Sequence, residues 1–110
     1  MNTDAQNYRI FKLIEAKPHI SQRELAQEMG VSLGKAHYCL QALVQKGLLK
    51  MDNFWHNEDK RVYAYLLTPI GFKAKAQVTA RFLKARLVEY KAIKAEIEEL
   101  RREVIKDTLE

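Results

Sequence analysis

Ser32, Lys35, His37, Tyr38 and Gln41 place two hydroxyls, an ammonium, an imidazole and a carboxamide within ten consecutive residues. Such groups suit hydrogen bonding to an anion or to the edge of a planar polar ligand. The chain offers little for bond-breaking chemistry. His19, His37 and His56 lie on three different elements, and no two of them have metal-type spacing. No glycine-rich phosphate loop, nucleophile elbow or inward-facing carboxylate pair occurs, so no catalytic residue, metal or cofactor is expected and the protein reads as a non-enzyme. The single cysteine, Cys39, stands one residue before Leu40 and one turn before Leu43, which predicts a partly buried thiol in place of an exposed redox sensor.

At 110 residues there is room for one compact domain and a protruding element, with too little chain for a second core. Charged residues at 30% and hydrophobic ones at 47% describe an ordinary globular protein. No apolar run is long enough to span a bilayer, and "MNTDAQNYRIFK" lacks the features of an export signal. A cytoplasmic protein without membrane contact is expected, and one thiol fits a reducing compartment. The net charge of +5 is unevenly spread: residues 69–88 carry Lys73, Lys75, Arg81, Lys84 and Arg86 with no acid, whereas residues 89–110 are net acidic.

Apolar spacing predicts a first helix from Tyr8 to Ala16, closed by Pro18. Ser21 and Glu24 form a capping-box pattern that opens a second helix, and Gly30 suits the left-handed residue that ends it. Ser32 caps a third helix over residues 32–46, with Ala36, Leu40 and Leu43 facing inward and Val31 pointing into the core. "LLKMDNFW" and "RVYAYLL" then read as two strands joined by a polar tip, "HNEDK". In "TPIG", Thr68 caps a last helix and Pro69 takes its first position. With no further proline, one helix runs from Ile70 to about Lys106. The expected fold is mainly α with a small β-hairpin.

From residue 83 the apolar positions fall into heptads. Leu83, Tyr90, Ile97 and Val104 share one seam position and Ile93 and Leu100 the other, with Arg86 as the exception and Leu87 at a flanking position. Glu89 and Glu96 would meet Lys94 and Arg101 of a second copy in a parallel pair, which predicts a parallel homodimeric coiled coil. The competing expectation is that this stripe packs on the chain's own domain.

Helix, tight turn, helix is the arrangement in which a second helix enters the DNA major groove. Ser32, Leu33, Lys35, His37, Tyr38 and Gln41 then point outward. Lys35 can donate to guanine and Gln41 can pair with adenine, while Ser32, His37 and Tyr38 can bond phosphates or bases. A solvated polar face would hold similar residues, but an aromatic beside a histidine is less usual on an idle face. Asp59, Lys60 and Arg61 stand at the hairpin tip, a wing over residues 55–61 that could lay an arginine in the minor groove. Lys73 or Lys75 would add phosphate contacts. Double-stranded DNA is thus the expected partner, and the alternative is a protein-binding scaffold that works through its coiled coil.

The order helix, "ISQRELAQEMGVS", recognition helix, "KGLL", ribbon, "DKR", "LLTPIG", long helix closely resembles the winged helix-turn-helix domain of MarR-type transcriptional regulators over residues 8–75, in particular the short subgroup associated with exopolysaccharide (EPS) gene clusters. With this resemblance residues 1–72 are expected as the DNA-binding domain, and the heptads make residues 73–110 the expected dimerisation helix. The resemblance also implies that Arg61 enters the minor groove, oriented by Asp59 of the family's Asp-x-Arg motif. Larger members bracket a small-molecule pocket with extended helices at both ends; here about seven residues precede the first helix, so effector binding is not carried over.

Overall fold

The computed structural model describes residues 3–53 and 63–109. Its elements are α1 (Asp4–Ala16), α2 (Gln22–Met29), α3 (Leu33–Gln45), β1 (Leu49–Asn53), β2 (Tyr63–Leu67) and α4 (Pro69–Leu109). This is the expected mainly helical fold, with one antiparallel hairpin that pairs Leu49 with Leu67 and Met51 with Tyr65.

α1 begins four residues earlier than the apolar spacing predicts. Thr3 accepts from the Gln6 N–H at 3.1 Å, and the Gln6 side chain accepts from the Thr3 N–H at 3.2 Å. This reciprocal capping box satisfies two backbone donors that a helix starting at Tyr8 would leave to water. The other boundaries follow the caps. Lys17 leaves the helix at φ −144°, ψ 84°, before Pro18. The Ser21 hydroxyl accepts from Glu24 N–H at 3.0 Å, and Gly30 ends α2 in the left-handed region at φ 67°, ψ 34°, where a side chain would be strained.

The core joins Ile10, Phe11 and Ile14 of α1 to Leu25 of α2 and Leu40 and Leu43 of α3, closed by Leu49, Tyr65 and Val78. Each large apolar side chain buried there contributes roughly 1.5–3 kcal/mol relative to exposure. Cys39 is fully buried among them. Val31, expected to point into the core, is only half-buried and is not among the core residues, because it sits in the turn itself.

α4 starts on the hairpin and leaves the domain. The Thr68 hydroxyl donates to the Gly47 carbonyl at 2.6 Å and accepts from Gly71 N–H at 3.0 Å, which ties the helix start to the end of α3. Val78 is buried against the core, the Phe82 ring stacks on Tyr8 with centroids 5.1 Å apart, and beyond Phe82 every described residue of α4 is exposed. The heptad stripe therefore does not pack on its own domain. The radius of gyration, 19.9 Å, exceeds the roughly 13 Å of a compact chain this long because of this extension.

Candidate nucleic-acid interface

α3 separates its residues by direction. Ala36, Cys39, Leu40 and Leu43 are buried, while Leu33 and Tyr38 are 45% and 54% exposed beside exposed Ser32 and His37. Lys35 and Gln41 are half-buried at the edges of this outward face. All six outward positions expected from the sequence thus share one surface. Three of them are engaged with one another. The Ser32 hydroxyl accepts from Lys35 N–H at 3.1 Å as the helix cap. The Lys35 ammonium lies 5.4 Å from the centre of the Tyr38 ring, a cation–π contact that holds the charge over the face.

His37 is connected beyond its own helix. Its Nδ1 lies 3.1 Å from Oε1 of Gln22, the first residue of α2, and Nε2 of Gln22 donates to the Tyr65 hydroxyl on β2 at 3.1 Å. Tyr65 is anchored in turn, its N–H donating to the Pro18 carbonyl at 2.9 Å. From sequence Gln22 reads only as the residue after a cap; its place between His37 and Tyr65 arises from the α2–α3 crossing, which no spacing along the chain displays.

The basic stretch after the hairpin is partly neutralised. Lys75 pairs with Glu15, Arg81 makes two hydrogen bonds to Asp4 at 2.9 and 3.1 Å, and Arg86 reaches Glu89 at 2.9 Å. The Arg81 guanidinium holds the Asp4 carboxyl below its usual range, and Lys17 does the same to Glu24. As a phosphate contact Lys75 is therefore a weaker candidate than exposed Lys73. Asp59, Lys60 and Arg61 lie outside the described residues, as does the rest of the wing over residues 55–61. An open cleft of about 610 Å³ lies between α1, the end of α2 and α4, floored by Tyr8 and Phe82 and edged by Arg9, Lys12 and Arg86. Among the described residues no cluster of His, Cys, Asp or Glu could hold a metal ion, and no helix is long and apolar enough to cross a membrane.

An outward polar helix behind a tight turn, backed by a hairpin, defines a class. Residues 3–50 match the family model described as winged helix-turn-helix DNA-binding. No curated protein matches the chain. Among solved structures it is similar to the PcaV transcriptional regulator from Streptomyces coelicolor, at 18% identity over 94% of this chain and 75% of that one, with a TM-score of 0.69. A MarR/EmrR family transcriptional regulator from Acinetobacter sp. ADP1 is similar at 21% identity over 91% and 75%, with a TM-score of 0.55. FabT from Streptococcus pneumoniae, solved in complex with DNA, is similar at 24% identity over 76% and 57%, with a TM-score of 0.56. At these identities the likeness establishes a shared fold.

Proposed function

We propose that the chain is a MarR-type transcriptional regulator that binds specific double-stranded DNA sites as a homodimer, within that type closest to the short form associated with exopolysaccharide gene clusters. The observation that carries this reading is the outward face of α3, where Leu33, Lys35, His37, Tyr38 and Gln41 gather on a helix whose opposite side fills the core. Lys35 and Gln41 suit guanine and adenine edges in the major groove, and Ser32, Tyr38 and Lys73 suit phosphates. Arg61 reaches the neighbouring minor groove, with Lys60 beside it and Asp59 orienting it; the support for this is the Asp-x-Arg spacing ahead of "LTPIG".

The dimer forms through α4. Leu83, Leu87, Tyr90, Ile93, Ile97, Leu100 and Val104 are all between 44% and 64% exposed, a continuous apolar stripe that a second copy would cover. Charge supports a parallel pair, with Glu89 facing the partner subunit's Lys94 and Glu96 facing the partner subunit's Arg101.

Selection of the purified protein against a random duplex library at physiological salt tests the whole reading. Enrichment of a two-fold symmetric site, with half-sites about 10 base pairs apart or a multiple of that, is the expected result. Folded protein that enriches nothing would overturn it in favour of a protein-binding scaffold.

A further inference from the structure

The carboxamide of Gln22 lies between a fixed group and a reading group. On one side is Tyr65, 7% exposed, its backbone bonded to Pro18 and its hydroxyl accepting from Gln22 Nε2 at 3.1 Å. On the other is His37, exposed on α3, with Nδ1 3.1 Å from Gln22 Oε1. An amide side chain has one donating end and one accepting end. With the donating end on Tyr65, the end facing His37 is an acceptor and only an N–H can satisfy it. In this orientation of the carboxamide Nδ1 carries the proton of the neutral imidazole and Nε2 is left as a bare acceptor.

We propose that Gln22 is a positioning residue that sets the direction of hydrogen bonding at His37, so that the recognition helix selects adenine or cytosine at the position His37 faces. In the major groove only these two bases present an amino group, adenine N6 and cytosine N4, whereas guanine and thymine present acceptors there. A histidine with a protonated Nε2 would instead seek an acceptor, guanine O6 or N7, thymine O4 or adenine N7, and would no longer select for an amino group. The inference rests on α3 entering the major groove, as proposed above, and it narrows what the helix reads there. It also gives the hairpin a role in specificity apart from any contact at its tip, since Tyr65 on β2 holds the carboxamide in place.

The test uses the full chain in two measurements. In long-range ¹H–¹⁵N spectra at about pH 8, where an ordinary histidine is neutral, His37 should show a protonated Nδ1 and an unprotonated Nε2. Its signals are identified by their loss in His37→Asn, and in Gln22→Met the Nδ1 proton should no longer be held. In random-duplex selection the wild type should prefer adenine or cytosine about tenfold at one position of each half-site, falling below about twofold in Gln22→Met with the other positions unchanged. Tyr65→Phe, which keeps the ring in the core but removes the hydroxyl that holds Gln22, should weaken the same position. A protonated Nε2 in the wild type, or a Gln22→Met variant that keeps every base preference, would overturn the inference and leave the DNA-binding reading intact. Wild-type protein that enriches no duplex would overturn both.

Discussion

Gly71→Ala should destabilise the protein even though it replaces a glycine inside a helix. Gly71 is buried in the first turn of α4, and a Cβ there would stand 2.0 Å from the Leu48 carbonyl oxygen, against a limit of about 3.0 Å for real contacts. α4 would have to withdraw from Leu48, just before β1, by at least about 1 Å. The Leu48 carbonyl cannot yield cheaply, because it accepts from Thr68 N–H at 3.1 Å. Withdrawal of this size also stretches the Thr68 hydroxyl away from the Gly47 carbonyl, now 2.6 Å distant. Losing two such bonds costs about 1 kcal/mol each and overpacking adds roughly 1–3 kcal/mol, while alanine returns about 1 kcal/mol of helix propensity. The net loss is then about 2–4 kcal/mol. Urea unfolding followed by far-ultraviolet circular dichroism, at one fixed protomer concentration, measures it as a lowered midpoint with an unchanged slope. Gly34→Ala is the control. An added Cβ at Gly34 meets nothing within 4 Å, so the same change in another helix should gain up to about 1 kcal/mol. A Gly71→Ala protein as stable as the wild type would refute the close approach of α4 to Leu48.

Ile97→Asp, in the middle of the seam, should convert a dimer to single chains in sedimentation and weaken DNA binding; wild-type protein with the mass of one chain at micromolar concentration would remove the dimer. Arg61→Ala should weaken binding and, if each protomer of the dimer loses one phosphate contact with it, reduce the slope of log K against log salt by about 1.8, and an unchanged titration would remove the wing from the mechanism. Asp4→Asn should flatten the acid limb of the stability profile. The Arg81 hydrogen bond lowers the Asp4 carboxyl in the folded state, so its contribution is present above the ordinary aspartate value of 3.8 and is lost as pH falls through the depressed folded value. A difference between variant and wild type that is constant across that range would contradict this assignment.

What could be read from the sequence was what repeats or caps. Ser21 with Glu24, Gly30, Ser32 and Thr68 each mark a boundary through a bond only a few residues long, and the structure has a helix end at every one. The start of α1 was legible in the same way. Thr3 and Gln6 have the same spacing as Ser21 and Glu24, but apolar periodicity alone begins at Tyr8 and hides the polar first turn. What could not be read was the pairing of distant residues. Asp4 meets Arg81 across 77 positions and Gln22 meets Tyr65 across 43, and no periodicity connects either pair. For that reason residues 69–88 looked like an unopposed basic collar. Once folded, Lys75 and Arg81 are balanced by acids of α1, and both pairs bridge α1 to α4 beside the packed Val78 and Phe82.

The seating of α1 on α4 constrains the proposed dimer. Phe82, the last residue of α4 to pack on its own domain, is directly followed by Leu83, the first residue of the seam, so no linker separates the reading domain from the stem. The clamps lie near both ends of α1, Asp4 with Arg81 and Glu15 with Lys75, in opposite order along the two helices. In the proposed dimer the distance between the two recognition helices would follow from how α1 seats on α4, whereas the proposed base preferences would follow from Lys35, Gln41 and the Gln22–His37 pair. Half-site sequence and half-site spacing should accordingly be separable. Substitutions at Asp4 and Glu15 together should broaden the spacing of selected sites while leaving each half-site unchanged, and substitutions at His37 should do the reverse. A single library with variable spacing measures both, and a change in base preference from the Asp4 and Glu15 pair would show that the α1–α4 joint does more than set the spacing.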